Sequence, residues 1–118
     1  MASHNQFGKE AEQMAKNYLI ENGYEILYCN WRHSHYEIDI IAKKNGLLRI
    51  IEVKALKSSG VRYPEESVTK KKFKHLQKAA DEFLFQNQQY RHIQFDVLSI
   101  TINPEKEAEF FLIEDVFL

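Results

Sequence analysis

Glu37 and Asp39 lie in Tyr36-Glu37-Ile38-Asp39-Ile40-Ile41, and Glu52 and Lys54 lie in Ile50-Ile51-Glu52-Val53-Lys54. Their relation depends on Asn45-Gly46, which separates two apolar, β-branched runs. This is a strong short-range hairpin signal, because both central residues of a type I′ turn need φ > 0. With Asn45 and Gly46 as the central pair, opposing residues have numbers that sum to 91. Lys44 then faces Leu47, Ile41 faces Ile50, Asp39 faces Glu52 and Glu37 faces Lys54. Directly opposed residues share a sheet face, with Cβ atoms about 4.5–5.5 Å apart.

That pairing sets two carboxylates side by side among Ile38, Ile40, Ile41, Ile50, Ile51 and Val53. Two unit charges at 4 Å repel by about 1 kcal/mol in water and by about 4 kcal/mol at an effective dielectric near 20. A hard divalent cation such as Mg²⁺ would turn this repulsion into coordination through carboxylate oxygens. The same spacing also describes an exposed hairpin face with a Glu37–Lys54 pair and two solvated acids. The register decides between them, since a three-residue turn would shift every pair.

The elements that must position this hairpin follow from periodicity. Residues 6–22 read as an amphipathic helix with Phe7, Ala11, Met14, Ala15, Tyr18 and Leu19 on one stripe and Gly23 as a stop. Glu10 and Glu12 border that stripe, a position where acids are usually solvated. Residues 24–31 form a first strand, and Arg32-His33-Ser34-His35 a polar turn. Two histidines two apart are a weak metal signal, and a loop touching phosphate or water is the favoured reading. Residues 57–64, Lys-Ser-Ser-Gly-Val-Arg-Tyr-Pro, are the most loop-like stretch, either a plain connection or, as the favoured reading, a flap carrying Lys57 and Arg62 beside the acids.

Residues 69–87 form a second helix with Thr69 as N-cap and Phe73, Leu76, Ala80, Phe83 and Leu84 buried. Its first turns carry Lys70, Lys71, Lys72, Lys74, His75 and Lys78, where the macrodipole disfavours cations. A solvated face is the default for such a run; the mismatch points to an anionic partner such as a phosphate backbone. Residues 93–102 form a strand, with Asp96 in an apolar run bonding backbone or a basic group. Residues 109–113 return antiparallel after Asn103-Pro104. The aromatic tail from Phe110 to Leu118 is core or a dimer surface.

Composition bounds the rest. At 118 residues, with 44% hydrophobic and 28% charged residues, the chain reads as one globular domain, 1–118. A formal net charge of −1 restricts any nucleic-acid surface to a local patch. The single Cys29 excludes a disulfide framework and a cysteine zinc site. No apolar run is long enough to span a bilayer and no signal peptide is visible, so a cytoplasmic protein without membrane contact is expected.

The element order and motifs resemble the PD-(D/E)xK nucleases, and more closely the YraN-like family of predicted endonucleases. The resemblance rests on Gly8-Lys9-Glu10-Ala11-Glu12 with Ala15 and Tyr18-Leu19, and on Asn30-Trp31-Arg32. It continues through Glu37-Ile38-Asp39-Ile40-Ile41-Ala42, Glu52-Val53-Lys54, Val68 with Lys71 or Lys72, and Phe95-Asp96-Val97. It implies an α/β, restriction-endonuclease-like αβββαβ core, a mixed sheet flanked by helices, similar in layout to archaeal Holliday-junction resolvases. It also implies a Mg²⁺- or Mn²⁺-dependent endonuclease on DNA, branched DNA included.

In that reading Asp39 and Glu52 ligate the ion with the Val53 carbonyl, and Glu12 binds a second cation or a metal-bound water. Lys54 orients or deprotonates the attacking water. Glu37 matches an auxiliary acid, and Arg32, Lys57, Arg62, Lys70, Lys71, Lys72 and Lys74 hold the backbone. The chain departs from the family pattern at Ala11, Tyr36 and Leu56; Tyr36 is expected to narrow the cleft and Leu56 to remove one phosphate contact. Resolvase-like cutting of two strands would need a homodimer. The alternatives are a nucleic-acid-binding module that keeps the fold without cutting, and a protein-interaction domain using the aromatic tail.

Overall fold

A computed structural model describes the backbone of residues 2–57 and 69–116 and the side chains of residues 8–56 and 69–116. Arg62, Val68 and most of the expected flap lie outside the described residues. The order is α1 (Ala2–Glu21), β1 (Glu25–His33), β2 (Tyr36–Lys44), β3 (Leu47–Lys57), α2 (Lys70–Gln86), β4 (Ile93–Ile102) and β5 (Glu109–Ile113).

Local chemistry fixes the boundaries. Asn45 and Gly46 both have positive φ, at 53° and 75°, as the type I′ turn requires. Helix α1 stops in a Schellman arrangement around Gly23 (φ 89°), with Tyr24 N–H donating to the Leu19 carbonyl and Gly23 N–H to that of Ile20. It begins earlier than the expected 6–22, because no glycine or proline interrupts residues 2–6. Helix α2 starts where expected, its Lys72 N–H donating to the Thr69 hydroxyl at 3.2 Å.

The five strands lie in the order β1-β2-β3-β4-β5. Only β3 and β4 pair in parallel, and the connection between them contains α2; the other neighbours are antiparallel. Two layers of helix sandwich this mixed sheet. On one face Ala15 and Leu19 of α1 pack with Ile40, Ala42, Ile51, Leu98 and Ile100. On the other, Leu76, Ala79, Ala80 and Phe83 of α2 pack with Ile38, Ile41, Leu48 and Ile50. Of the aromatic tail, Phe110 stacks on Tyr18 at 4.5 Å, whereas Phe111 is exposed.

One buried ion pair crosses the core. Arg49 Nη1 donates to Asp96 at 3.3 Å and to Glu114 at 3.0 Å. Asp96 also accepts from the Tyr24 hydroxyl, the Gln94 amide and the Asp115 N–H, the structural role expected for it. The bond from Arg49 holds the Glu114 carboxyl below the usual range. Burial, then Asp96 and Glu114, push the Tyr24 hydroxyl up.

Removing one partner of such a pair leaves the other charge buried and uncompensated, a loss of about 3–5 kcal/mol. Asp96 is fully buried, so Arg49→Ala is expected to lose that much, measured as the shift in a urea unfolding curve. A shift under about 1 kcal/mol would contradict this account of Arg49.

Candidate metal and phosphate site

The register follows the turn. Pairs run from Lys44↔Leu47 through Ile41↔Ile50 to Ile40↔Ile51, each summing to 91. At the next position Asp39 does something a strand residue does not ordinarily do. Its Oδ2 accepts the backbone N–H of Val53 at 2.9 Å, so a side chain takes the role of a ladder carbonyl.

The alternation of faces slips at the same level. Ile38 and Ile41 both pack towards α2, while Ile40 between them packs towards α1. On β1, Tyr28 and Trp31 both meet Phe83 of α2 edge-on, again three residues apart. The residue inside that interval is Asn30, in the left-handed region at φ 53°. Cys29 pairs with Ile40 and Trp31 with Ile38, which places Asn30 across from Asp39. Matching irregularities in two strands therefore open the sheet at Asp39.

Asp39 consequently borders two hollows. The larger, about 620 Å³, lies on the α2 side and is lined by Glu37, Asp39, Glu52, Lys71 and Lys72, with His35 and His75 at its wall. The smaller, about 200 Å³, lies on the α1 side between Glu12, Asn30, Asp39 and Val53. Asn30 Nδ2 donates to Glu12 Oε1 at 2.8 Å, joining the acid on α1 to the strand that faces Asp39. Among the described residues no three His, Cys, Asp or Glu side chains converge tightly enough to hold an ion by themselves.

The electrostatics single out Glu52. Burial, followed by its hydrogen bond with Asp39 and that residue's charge, pushes the Glu52 carboxyl up to about 8, against the opposing pull of Lys54 and Lys72. The Lys54 ammonium is pushed down, first by burial and then by its contact with Lys72. Two acids and two ammoniums thus face each other around one point.

The remaining residues divide. Arg32 is exposed and reaches Glu37 at 3.5 Å. Lys70 and Lys74 line a separate hollow with Phe73 and Gln77, on another side of α2. Lys57, expected in the loop, closes β3 opposite Ile102. His33 and His35 diverge: His33 meets Glu82 and Gln86 of α2, and His35 turns to the larger cavity. Three contributions escape pattern reading: Asn30 as the contact of Glu12, Lys72 beside Lys54, and His75 in the cavity wall. An asparagine interrupting an apolar strand is a signal for a left-handed residue; the other two depend on how α2 docks.

Helix, three antiparallel strands with the acids at an opened position, helix and parallel strand define a restriction-endonuclease-like core. The chain belongs to the uncharacterised protein family UPF0102, the YraN-like family, whose model matches residues 11–100. It is 36% identical to a UPF0102 protein of Parabacteroides distasonis over 119 residues, covering 99% of this chain and 96% of that one. A UPF0102 protein of Persephonella marina is 42% identical over 97 residues, covering 81% and 84%. One from Bacteroides thetaiotaomicron is 40% identical over 100 residues, covering 85% and 83%.

The raised Glu52 carboxyl has a measurable consequence. Its stabilising contribution is complete below about pH 4.5, where folded and unfolded forms are both protonated, and is lost as pH rises through about 8. In the absence of divalent cations, the urea midpoint is expected to fall across that interval. Glu52→Gln should remove this component of the slope; a profile identical to the parent's would contradict it.

Proposed function

We propose that the protein is a divalent-cation-dependent DNA endonuclease, using Mg²⁺ or Mn²⁺, that selects substrates by structure rather than sequence. The observation that carries this reading is the Asp39–Glu52 pair. Two oxygen-donor side chains within hydrogen-bonding reach, one with its carboxyl raised to about 8, form a site with excess negative charge. Oxygen donors suit Mg²⁺ and Mn²⁺, and Mg²⁺ is commonly held by one or two carboxylates plus substrate phosphate and water.

Asp39 and Glu52 hold the cation, Asp39 oriented by the Val53 N–H. Such an ion acts as a Lewis acid on the phosphoryl oxygen and lowers the pKa of bound water. Lys54, shifted towards its neutral form, accepts a proton from the attacking water at Nζ and then offsets charge on the pentavalent phosphate. Glu12 supports a second cation or a water from the smaller hollow. Lys71 and Lys72 hold the phosphate beside the acids, while Arg32, Lys70 and Lys74 extend the contact along the backbone. Contacts of this kind position DNA without reading its sequence.

The two-carboxylate set also supports a second reading, a binding module that keeps the fold without cutting. Cleavage assays on junction, flap and single-stranded DNA in Mn²⁺ separate the two. Glu52→Ala is expected to lower cleavage by about 10³-fold, the order of one metal's Lewis-acid contribution. Undiminished cleavage removes the assignment; steeply salt-dependent binding without products in any cation favours the module.

Asn30 gives an independent check. Asn30→Gly tolerates the left-handed backbone but loses the amide that holds Glu12. It should retain stability while kcat falls about tenfold, the order of one hydrogen bond to a charged group. An unchanged kcat in a folded Asn30→Gly protein would mean that the Glu12 contact is structural only.

A further inference from the structure

Two imidazoles, His35 and His75, line part of the larger cavity, and Tyr36 backs them. His35, from the turn between β1 and β2, and Tyr36, the first residue of β2, lie 4.3 Å apart between ring centroids. His75, six residues beyond the Thr69 cap of α2, lies 5.6 Å from His35 and 5.1 Å from Tyr36. Both histidines are exposed and both line the cavity that holds Glu37, Asp39, Glu52, Lys71 and Lys72. A merely structural aromatic cluster would be expected to seal itself into the core, as Phe83 does. Here the two imidazoles stand exposed at the rim beside Lys71 and Lys72, with Tyr36 half-buried behind them against the core.

We propose that this cluster is a stacking platform for one unpaired base of single-stranded DNA, adjacent to the phosphate held by Lys71 and Lys72 beside Asp39 and Glu52. The inference rests on the endonuclease reading for the identity of the phosphate site and adds the substrate class. A cavity of about 620 Å³ lies within the ordinary range for sites that enclose a small molecule, about 300–1,000 Å³. A base inside a duplex has both faces covered by its neighbours, so only a splayed or single-stranded base can present a π-face to these rings. The arrangement of lysines beside rings is the chemistry that single strands require: cations for the backbone and aromatic faces for the bases. Stacking accepts any base, because every base has a π-face.

The test is binding without turnover. Fluorescence of 2-aminopurine in a short single-stranded oligonucleotide is followed with the full chain in Ca²⁺, beside a fully paired duplex of the same sequence. The expected result is a fluorescence change with the single strand, which binds at least tenfold more tightly than the duplex. His75→Ala should weaken single-strand binding about tenfold and leave duplex binding unchanged, and His75→Phe should restore it. Tyr36→Leu provides a second route to the same loss. Equal affinity for both forms, or equal weakening of both by His75→Ala, overturns the platform.

Glu52→Ala separates this inference from the reading beneath it. Ring-dependent single-strand binding without cleavage by any form of the protein keeps the platform and removes the nuclease. Glu52-dependent cleavage indifferent to His75 and to strandedness keeps the nuclease and removes the platform.

Discussion

The structure depends on one carboxylate standing where a backbone carbonyl would ordinarily be. By accepting the Val53 N–H, Asp39 stabilises an opened β2–β3 pair that would otherwise leave a donor unsatisfied. The opening has a second cause across the sheet, the left-handed Asn30 on β1. Together they let Asp39 border hollows on both faces, whereas a regular strand confines a side chain to one. The acid on α1 and the lysines on α2 are thereby brought to the same residue from opposite sides.

Two acids on neighbouring strands show how differently one sheet can treat negative charge. In the parallel register Asp96 stands beside Ile51, and Val97 beside Glu52. Asp96 is sealed in the core, where a guanidinium, a hydroxyl, an amide and a backbone N–H satisfy it. Glu52 faces a cavity, where its side-chain hydrogen bond is with another acid, Asp39. Burial alone therefore does not fix how a carboxylate is held. The sign of the group it touches does.

What the sequence carries plainly is local. Asn45-Gly46 specifies its turn, and the turn alone sets the register of the two strands, because no other closure lets both residues take positive φ without strain. Thr69 and Gly23 likewise end their helices through groups within a few residues. Periodicity fails where two strands slip together, since counting in twos assumes an unbroken pleat. Such counting gives Ile38 no helix to face, and Asn30 no role beyond a family motif. The meeting of Lys72 with Lys54, and of His75 with Tyr36, is set by the docking of α2 on β2, which buries Leu76 and Phe83. Those contacts join residues distant in the chain and leave no trace in spacing.

The placement of like charges explains why this region suits a ligand of mixed sign. Burial first and then Asp39 raise the carboxyl of Glu52, and burial first and then Lys72 lower the ammonium of Lys54. Cross-attraction between the pairs offsets part of each repulsion but does not restore either group to its ordinary value. Lys70, Lys71 and Lys72 add to the imbalance by occupying the first turn of α2, the positive end of its dipole. A cation alone would relieve the acids while adding to the field on the lysines, and an anion alone would do the reverse. A divalent ion together with a phosphodiester answers both, so each should bind more tightly in the presence of the other. Under the endonuclease proposal, this is the electrostatic condition for a site that holds a metal–phosphate pair rather than either component separately.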